Sequence, residues 1–250
     1  QTSAASAATT SYALPVVSGL SGAVVMDTRG NEAVTISGSN FGPAAATATT
    51  ATITSTVTAM YQNALLRGLA GVAIKALSCA VVVPHVKLVC TSAEGIGHGH
   101  RWMVTVGGQQ SDWSAHTTSY ARPAVAMLAL SDGSAPALKT DGSDFVTITG
   151  TNFGPAHDDS NATTIASAIN ASYGGLYEVH GCEVIEAHTR MRCPSAEGVG
   201  RNHSWRVTVG DQTSAASAAT TSYALPVVSG LSGAVVMDTR GNEAVTISGS

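Results

Sequence analysis

Apolar β-branched residues alternate with hydroxyl-bearing ones in short runs along this chain, and Gly, Pro, Asn or Asp closes each run. Successive side chains of a strand point to opposite faces, so Val34-Thr-Ile-Ser-Gly places Val and Ile on one side and hydroxyls on the other. This spacing predicts strands in the first part of the chain at 14–20, 33–38, 50–59, 72–83, 86–90, 100–106 and 117–121. Short strands broken by turn residues at this density predict an antiparallel β-sandwich. Only residues 59–69 (AMYQNALLRGL) have helix-forming composition, and a single turn or short helix is expected there.

The pattern is also periodic on a longer scale. Residues 212–250 repeat residues 1–39 letter for letter, an offset of 211 residues. Within that unit Ser11-Tyr-Ala-Leu-Pro15 recurs as Ser119-Tyr-Ala-Arg-Pro123 and again as Ser222-Tyr-Ala-Leu-Pro226. Val34-Thr-Ile-Ser-Gly-Ser-Asn-Phe-Gly-Pro43 recurs at 146–155, Ser92-Ala-Glu-Gly at 195–198, and Trp102-Met-Val-Thr-Val-Gly107 at 205–210. The unit is therefore two diverged modules with spacings of 108 and 103 residues, each the size of a domain with its own core. On this reading 1–10 close a preceding module, 11–118 and 119–221 are the two modules, and 222–250 open another copy of the first. Ser250 falls inside a predicted strand, which suggests a window on a longer array. The last predicted strand runs into Pro123 without spare flexible residues, so a stiff rod of beads is expected. Strand sharing between neighbours, through 1–14 and 222–250, is a further expectation.

Composition narrows the partners. Hydrophobic residues make up 44% of the chain and charged residues 11%, about half the usual charged share. Disorder driven by charge is excluded. A net charge of −4 with 12 Lys and Arg leaves no basic stripe, so nucleic acid is excluded as a partner. The most hydrophobic stretch, 65–84, contains Arg67, Lys75 and Pro84, and its counterpart in the second module is polar, so it reads as buried strands and not as a membrane span. Hydroxyls and attached sugars are the expected source of solubility. No secretory signal is visible, and a window on an array would not include one.

Cys79 and Cys90 lie eleven residues apart, as do Cys182 and Cys193. Two neighbouring antiparallel strands joined by a turn would bring each pair within reach of a disulfide. Zinc ligation and free thiols are the alternatives. There is no Cys-x-x-Cys spacing, and His85 and His188 read as mid-strand residues of no shared register. Disulfides would place the chain in an oxidising, extracellular compartment.

The order of Pro15, VTISGSNFGP, a Cys–Cys hairpin, a Gly-rich turn, Val104-Thr-Val-Gly107 and a last Tyr-bearing strand resembles the IPT/TIG domain. The resemblance covers both modules. It implies an all-β, immunoglobulin-like (IPT/TIG) sandwich in each, of the kind found in plexin-type receptors and cell-surface arrays. It implies no catalytic residues.

Asn161-Ala-Thr, Asn170-Ala-Ser and Asn202-His-Ser are N-glycosylation sequons, all in the second module. Residues 47–58 and 214–222 are dense in hydroxyls and are candidates for O-linked sugar. His98, His100 and His116, and separately His157-Asp158-Asp159 with Asn161, are weighed as metal sites and set aside for solvated loops. Trp102 and Trp205 match at strand spacing and read as core anchors; Trp113 is unmatched. No nucleophile elbow, phosphate-binding glycine loop or zinc-binding helix is found, so no enzyme, metal or cofactor is expected. The expected function is a structural extracellular glycoprotein forming a fibre or surface appendage by self-association. The alternative is an adhesin or receptor ectodomain binding a carbohydrate or protein ligand.

Overall fold

The computed structural model describes residues 7–44, 56–63, 73–130, 137–156, 169–233 and 236–250, and all regular structure in them is β. The first module contains β1 (Val16–Gly22), β2 (Val25–Met26), β3 (Ala33–Ser39), β4 (Val57–Asn63), β5 (Ile74–Lys75), β6 (Ser78–Val83), β7 (Lys87–Thr91), β8 (His100–Val106), β9 (Gln109–Gln110) and β10 (Thr117–Tyr120). The second contains β11 (Ala124–Leu130), β12 (Ala137–Leu138), β13 (Phe145–Thr151), β14 (Ile169–Tyr173), β15 (Tyr177–Val179), β16 (Glu183–Glu186), β17 (Arg190–Pro194), β18 (His203–Val209), β19 (Gln212–Thr213) and β20 (Thr220–Tyr223). A final hairpin joins β21 (Val228–Gly233) to β22 (Val245–Gly249).

Each module is an immunoglobulin-like sandwich. In the first, one sheet runs β1-β3-β7-β6 and the other β2-β10-β8-β4-β5, with β9 paired to β8. The second module repeats this as β11-β13-β17-β16 facing β12-β20-β18-β14-β15, with β19 paired to β18. All pairings are antiparallel except β2 with β10 and β12 with β20, which are parallel. Alternation carries the core: in β3 Val34 and Ile36 point inward and are fully buried, while Thr35 and Ser37 face out.

Two elements differ from the sequence pattern. Residues 72–83 do not form one strand; after Lys75 the chain turns at Ala76 and Leu77 and crosses from one sheet to the other, so β5 and β6 belong to different layers. Residues 59–63 are not helical but lie in β4, which pairs along its whole length with β8. Ala59, Tyr61 and Asn63 alternate inward there, and cross-strand burial overrides the helix preference of Ala, Met and Gln. Residues 50–55 and 64–69 lie outside the described residues.

The core of each module is built around one tryptophan. Trp102 stacks on Tyr61 with ring centroids 4.3 Å apart, and Trp205 stacks on Tyr173 at 4.2 Å. Both indoles are fully buried, and their Nε1–H groups donate to Thr118 and Thr221 at 3.0 and 2.9 Å. This satisfies the polar handle that makes Trp costly to bury. A closed ring of hydrogen bonds lies beside the stack. The Ala93 amide donates to Tyr61 Oη, Tyr61 and Tyr120 share a bond of 2.7 Å, and Tyr120 Oη donates to the Ala93 carbonyl at 2.8 Å. Ala196, Tyr173 and Tyr223 repeat it. Burial pushes the Tyr61, Tyr120 and Tyr223 phenols above their ordinary range.

Disulfides join Cys79 to Cys90 and Cys182 to Cys193. Cys79 and Cys90 face each other in register on β6 and β7, within one sheet. The turn that closes this hairpin corrects the sequence reading of the histidines. His85 and His188 are not mid-strand; each stands six residues after the first cysteine, at the tip of the turn, with φ of 65° and 67°. They are equivalent positions.

Candidate functional site

The feature with most chemistry in the described residues is the joint between the two modules. Only three residues, 121–123, separate β10 from β11. Their backbone is held from both sides. The Ala121 amide donates to Met26 O in the first module at 2.8 Å. From the second module, Gln212 Nε2 donates to Tyr120 O at 3.0 Å and Asn152 Nδ2 to Arg122 O at 2.8 Å, and Pro123 is buried. Asn152 belongs to the repeated Asn-Phe-Gly-Pro motif, whose φ of 63° aims the side chain back at the linker.

Beside the linker, His188 reaches across the joint. Its Nδ1 lies 2.9 Å from Thr28 Oγ1 and its Nε2 lies 2.9 Å from Glu94 Oε1. A carboxylate only accepts, so Nε2–H donates to Glu94, and in the neutral ring Nδ1 accepts the Thr28 hydroxyl. Thr28 is 1% exposed and His188 6%, so the bond between them is shielded from water, while the Glu94 carboxylate stands half-exposed at the rim. Ile96 of the first module packs on the core of the second. It does so over Gly154, where a Cβ would come within 2.2 Å of Ile96 Cγ2. At Gly210 a Cβ would meet the Gly97 backbone at 2.7 Å. At these two points the modules pack against each other with no room for a side chain between them.

A groove of about 680 Å³ runs along the joint, lined by Val25, His98, Tyr120, Arg122, Asp211 and Gln212 among others. Its lining is as much backbone-clamping as solvent-facing, since Tyr120 and Gln212 are already paired with each other there.

The residues singled out from the sequence are dispersed. Asn170 lies on β14 opposite Thr208, on the outward face that alternates with buried Ile169 and Ala171. Asn202 is exposed in a tight turn at φ 59°. Asn161, His157, Asp158 and Asp159 lie outside the described residues, as do residues 47–55. Among the described residues no three His, Cys, Asp or Glu side chains converge as a metal site. His100 is 2% exposed, its Nε2–H donating to Ile96 O at 3.1 Å while its ring packs edge-on to Tyr61 and Tyr120. Burial holds its imidazole at about 4. His98 lines the groove and His116 is exposed. Ser214 and Ser217, read as candidates for O-linked sugar, are instead buried, accepting from the Val207 and Trp205 amides and donating to the Ala215 and Ala219 carbonyls. Trp113 is half-buried. No helix among the described residues is long and apolar enough to cross a membrane.

Sequence reasoning missed His188, Thr28 and Glu94. Equal spacing of the two histidines from the cysteines was the signal that could have found the first of them.

No protein-family model matches the chain, and no curated protein matches it in sequence. Among solved structures it is similar to the extracellular region of Plexin A4, at 19% identity over 84% of this chain and 18% of that one, with a TM-score of 0.32. It is also similar to a surface glycan-binding protein from Prevotella bryantii, at 12% identity over 75% of this chain and 36% of that one, TM-score 0.39. A third is SGBP-B from a xyloglucan utilization locus in Bacteroides uniformis, at 12% identity over 80% of this chain and 47% of that one, TM-score 0.29. The chain spans less than half the length of each of these proteins.

Proposed function

We propose that this chain is part of an extracellular structural protein in which IPT/TIG-type sandwiches are joined end to end as a stiff filament, with no catalytic role. The observation that carries the reading is the joint. The three-residue linker is clamped at the Arg122 carbonyl and at the Tyr120 carbonyl just before it, and the buried His188–Thr28 bond, the His188–Glu94 contact and the Ile96–Gly154 packing fix the angle. A flexible string of binding domains gains nothing from such a joint, whereas a load-bearing rod needs it. The letter-for-letter return of residues 1–39 at 212–250 supports a unit used many times over. The two disulfides support an oxidising location. Outward-facing Asn170 and exposed Asn202 suit N-linked sugar on a surface poor in charge. The partner of the chain is then other copies of its own modules.

Electron microscopy of the native material tests this. Filaments with a repeat of one module pair are expected, together with glycan mass on tryptic peptides holding Asn170 and Asn202. Separate, freely pivoting beads would overturn it. The second reading, an adhesin or receptor ectodomain, draws on the joint groove with His98, Arg122 and Asp211 along it. Glycan-array binding abolished by Arg122→Ala would favour that reading.

A further inference from the structure

The joint residues named above have counterparts at the two outer ends of the module pair. On the first module's near end, Gly42, His85, Gly107 and Gln109 correspond to Gly154, His188, Gly210 and Gln212. On the second module's far end, Thr140, Glu197, Val199 and Gly200 correspond to Thr28, Glu94, Ile96 and Gly97. Burial follows this correspondence. His188, Gly210, Thr28 and Gly97 are buried in the joint; His85, Gly107, Thr140 and Gly200 are exposed. Val199 is 69% exposed where Ile96 is packed.

Part of a second joint is already formed. Residues 7–15 have the same sequence as 218–226, the end of the second module and the linker after it. They lie against the first module as 121–123 lie against the second. Gln109 Nε2 donates to Tyr12 O at 3.0 Å and Asn40 Nδ2 to Leu14 O at 2.8 Å, and Pro15 is buried. These are the counterparts of the Gln212 and Asn152 clamps, at the same distances. Pro226, which has the sequence of Pro15, is exposed.

We infer that the far end of the second module is a docking face for the near end of a first-type module, with His85 of the incoming module placed between Thr140 and Glu197 and Gly42 under Val199. The occupant is a first-type module and no other partner, because the face keeps the residue types of the formed joint and residues 226–250 already carry that module's opening hairpin. This rests on the reading of the chain as part of an array and adds to it. Both kinds of joint apply one rotation and translation, so the filament advances by a single screw step per module although its sequence repeats every two.

The test extends the full chain past Ser250 with a second copy of residues 40–118, which completes a further first-type module. Thr140→Cys together with His85→Cys in the added copy is expected to close a disulfide as fast as a reference pair, Thr28→Cys with His188→Cys, does in the formed joint. A reference pair that closes while the test pair stays reduced would overturn the inference. Small-angle scattering of the unsubstituted extended chain gives a second readout. Its profile should fit the first-to-second module step applied twice, and a freely jointed profile would count equally against the idea. An unlinked pair alongside native filaments removes only this joint. A linked pair without native filaments removes only the filament reading.

Discussion

His188 Nδ1 meets Thr28 Oγ1 at 2.9 Å across 160 residues of chain, and its other nitrogen holds Glu94. A single side chain at the tip of a disulfide-closed hairpin therefore ties one sandwich to the next. The disulfide keeps β16 and β17 together so that the turn between them projects as a fixed peg.

Replacing that peg should separate the modules energetically without unfolding either. His188→Ala leaves the Thr28 hydroxyl buried without its partner, a loss of about 1–3 kcal/mol. In urea titrations followed by tryptophan fluorescence, the two modules should unfold in more widely spaced steps than in the parent chain. An unchanged profile would mean that the contact does not couple them.

The close approach at Gly154 gives a steric version of the same test. Its φ is +85°, and a Cβ there would press on Ile96. Gly154→Ala should open the joint and expose residues 121–123 to protease. Gly175→Ala, also at positive φ (+72°) but with nothing within 4 Å of the added carbon, controls for backbone strain alone. Equal protection in both variants would remove Ile96 from the joint.

Tyr120 both accepts from Tyr61 and donates to Ala93 O. Tyr120→Phe leaves that carbonyl and the Tyr61 hydroxyl short of partners in a buried site. The first module should lose roughly 1–3 kcal/mol. Tyr223→Phe should do the same to the second, and chemical denaturation of the two variants checks both.

Opening the hairpin loops should be costly. Each disulfide spans eleven residues, which the chain-entropy estimate values at about 3 kcal/mol. Cys79→Ala with Cys90→Ala should lower the melting temperature of the first module only, seen by calorimetry as one displaced transition.

His100 gives the first module a pH dependence. Its pKa is held by burial at about 4 in the folded chain, against an ordinary value of 6.5. Between these values the unfolded chain binds the extra proton, so stability rises with pH. The contribution is intact above pH 6.5 and is lost progressively as pH falls toward 4, by about 3 kcal/mol on the linkage constant. His100→Phe, which keeps a ring between Tyr61 and Tyr120, should flatten that slope in melts taken from pH 7 to pH 4. A slope that persists would assign it to other groups.

The duplicated segment separates what local sequence determines from what it leaves open. β1 with β3 and β21 with β22 are the same letters, and both form the same hairpin in the same register, bulge included, between Val17 and Gly19 in one and Val228 and Gly230 in the other. Alternation and turn chemistry suffice for that, because the pairing is local. The strand pattern, the twofold module and the cysteine spacing were legible for the same reason: each is a short-range regularity.

Burial is decided elsewhere. Val34 and Ile36 are fully buried where β3 has β7 beside it and the second sheet across from it, while Val245 and Ile247, identical in sequence context, are 39% and 66% exposed. Met26 is buried in the short parallel strand β2, and Met237 is 62% exposed. Residues 220–223 form β20 beside β18 and β12, and 9–12, the same four letters, form no strand. The joint belongs with these cases. Thr28, Glu94 and His188 stand in different turns, and the sequence around each does not name its partner in the other module. Partners supplied from up to 160 residues away determine whether an apolar face is core or surface, and whether a histidine is a loop residue or the link between two domains.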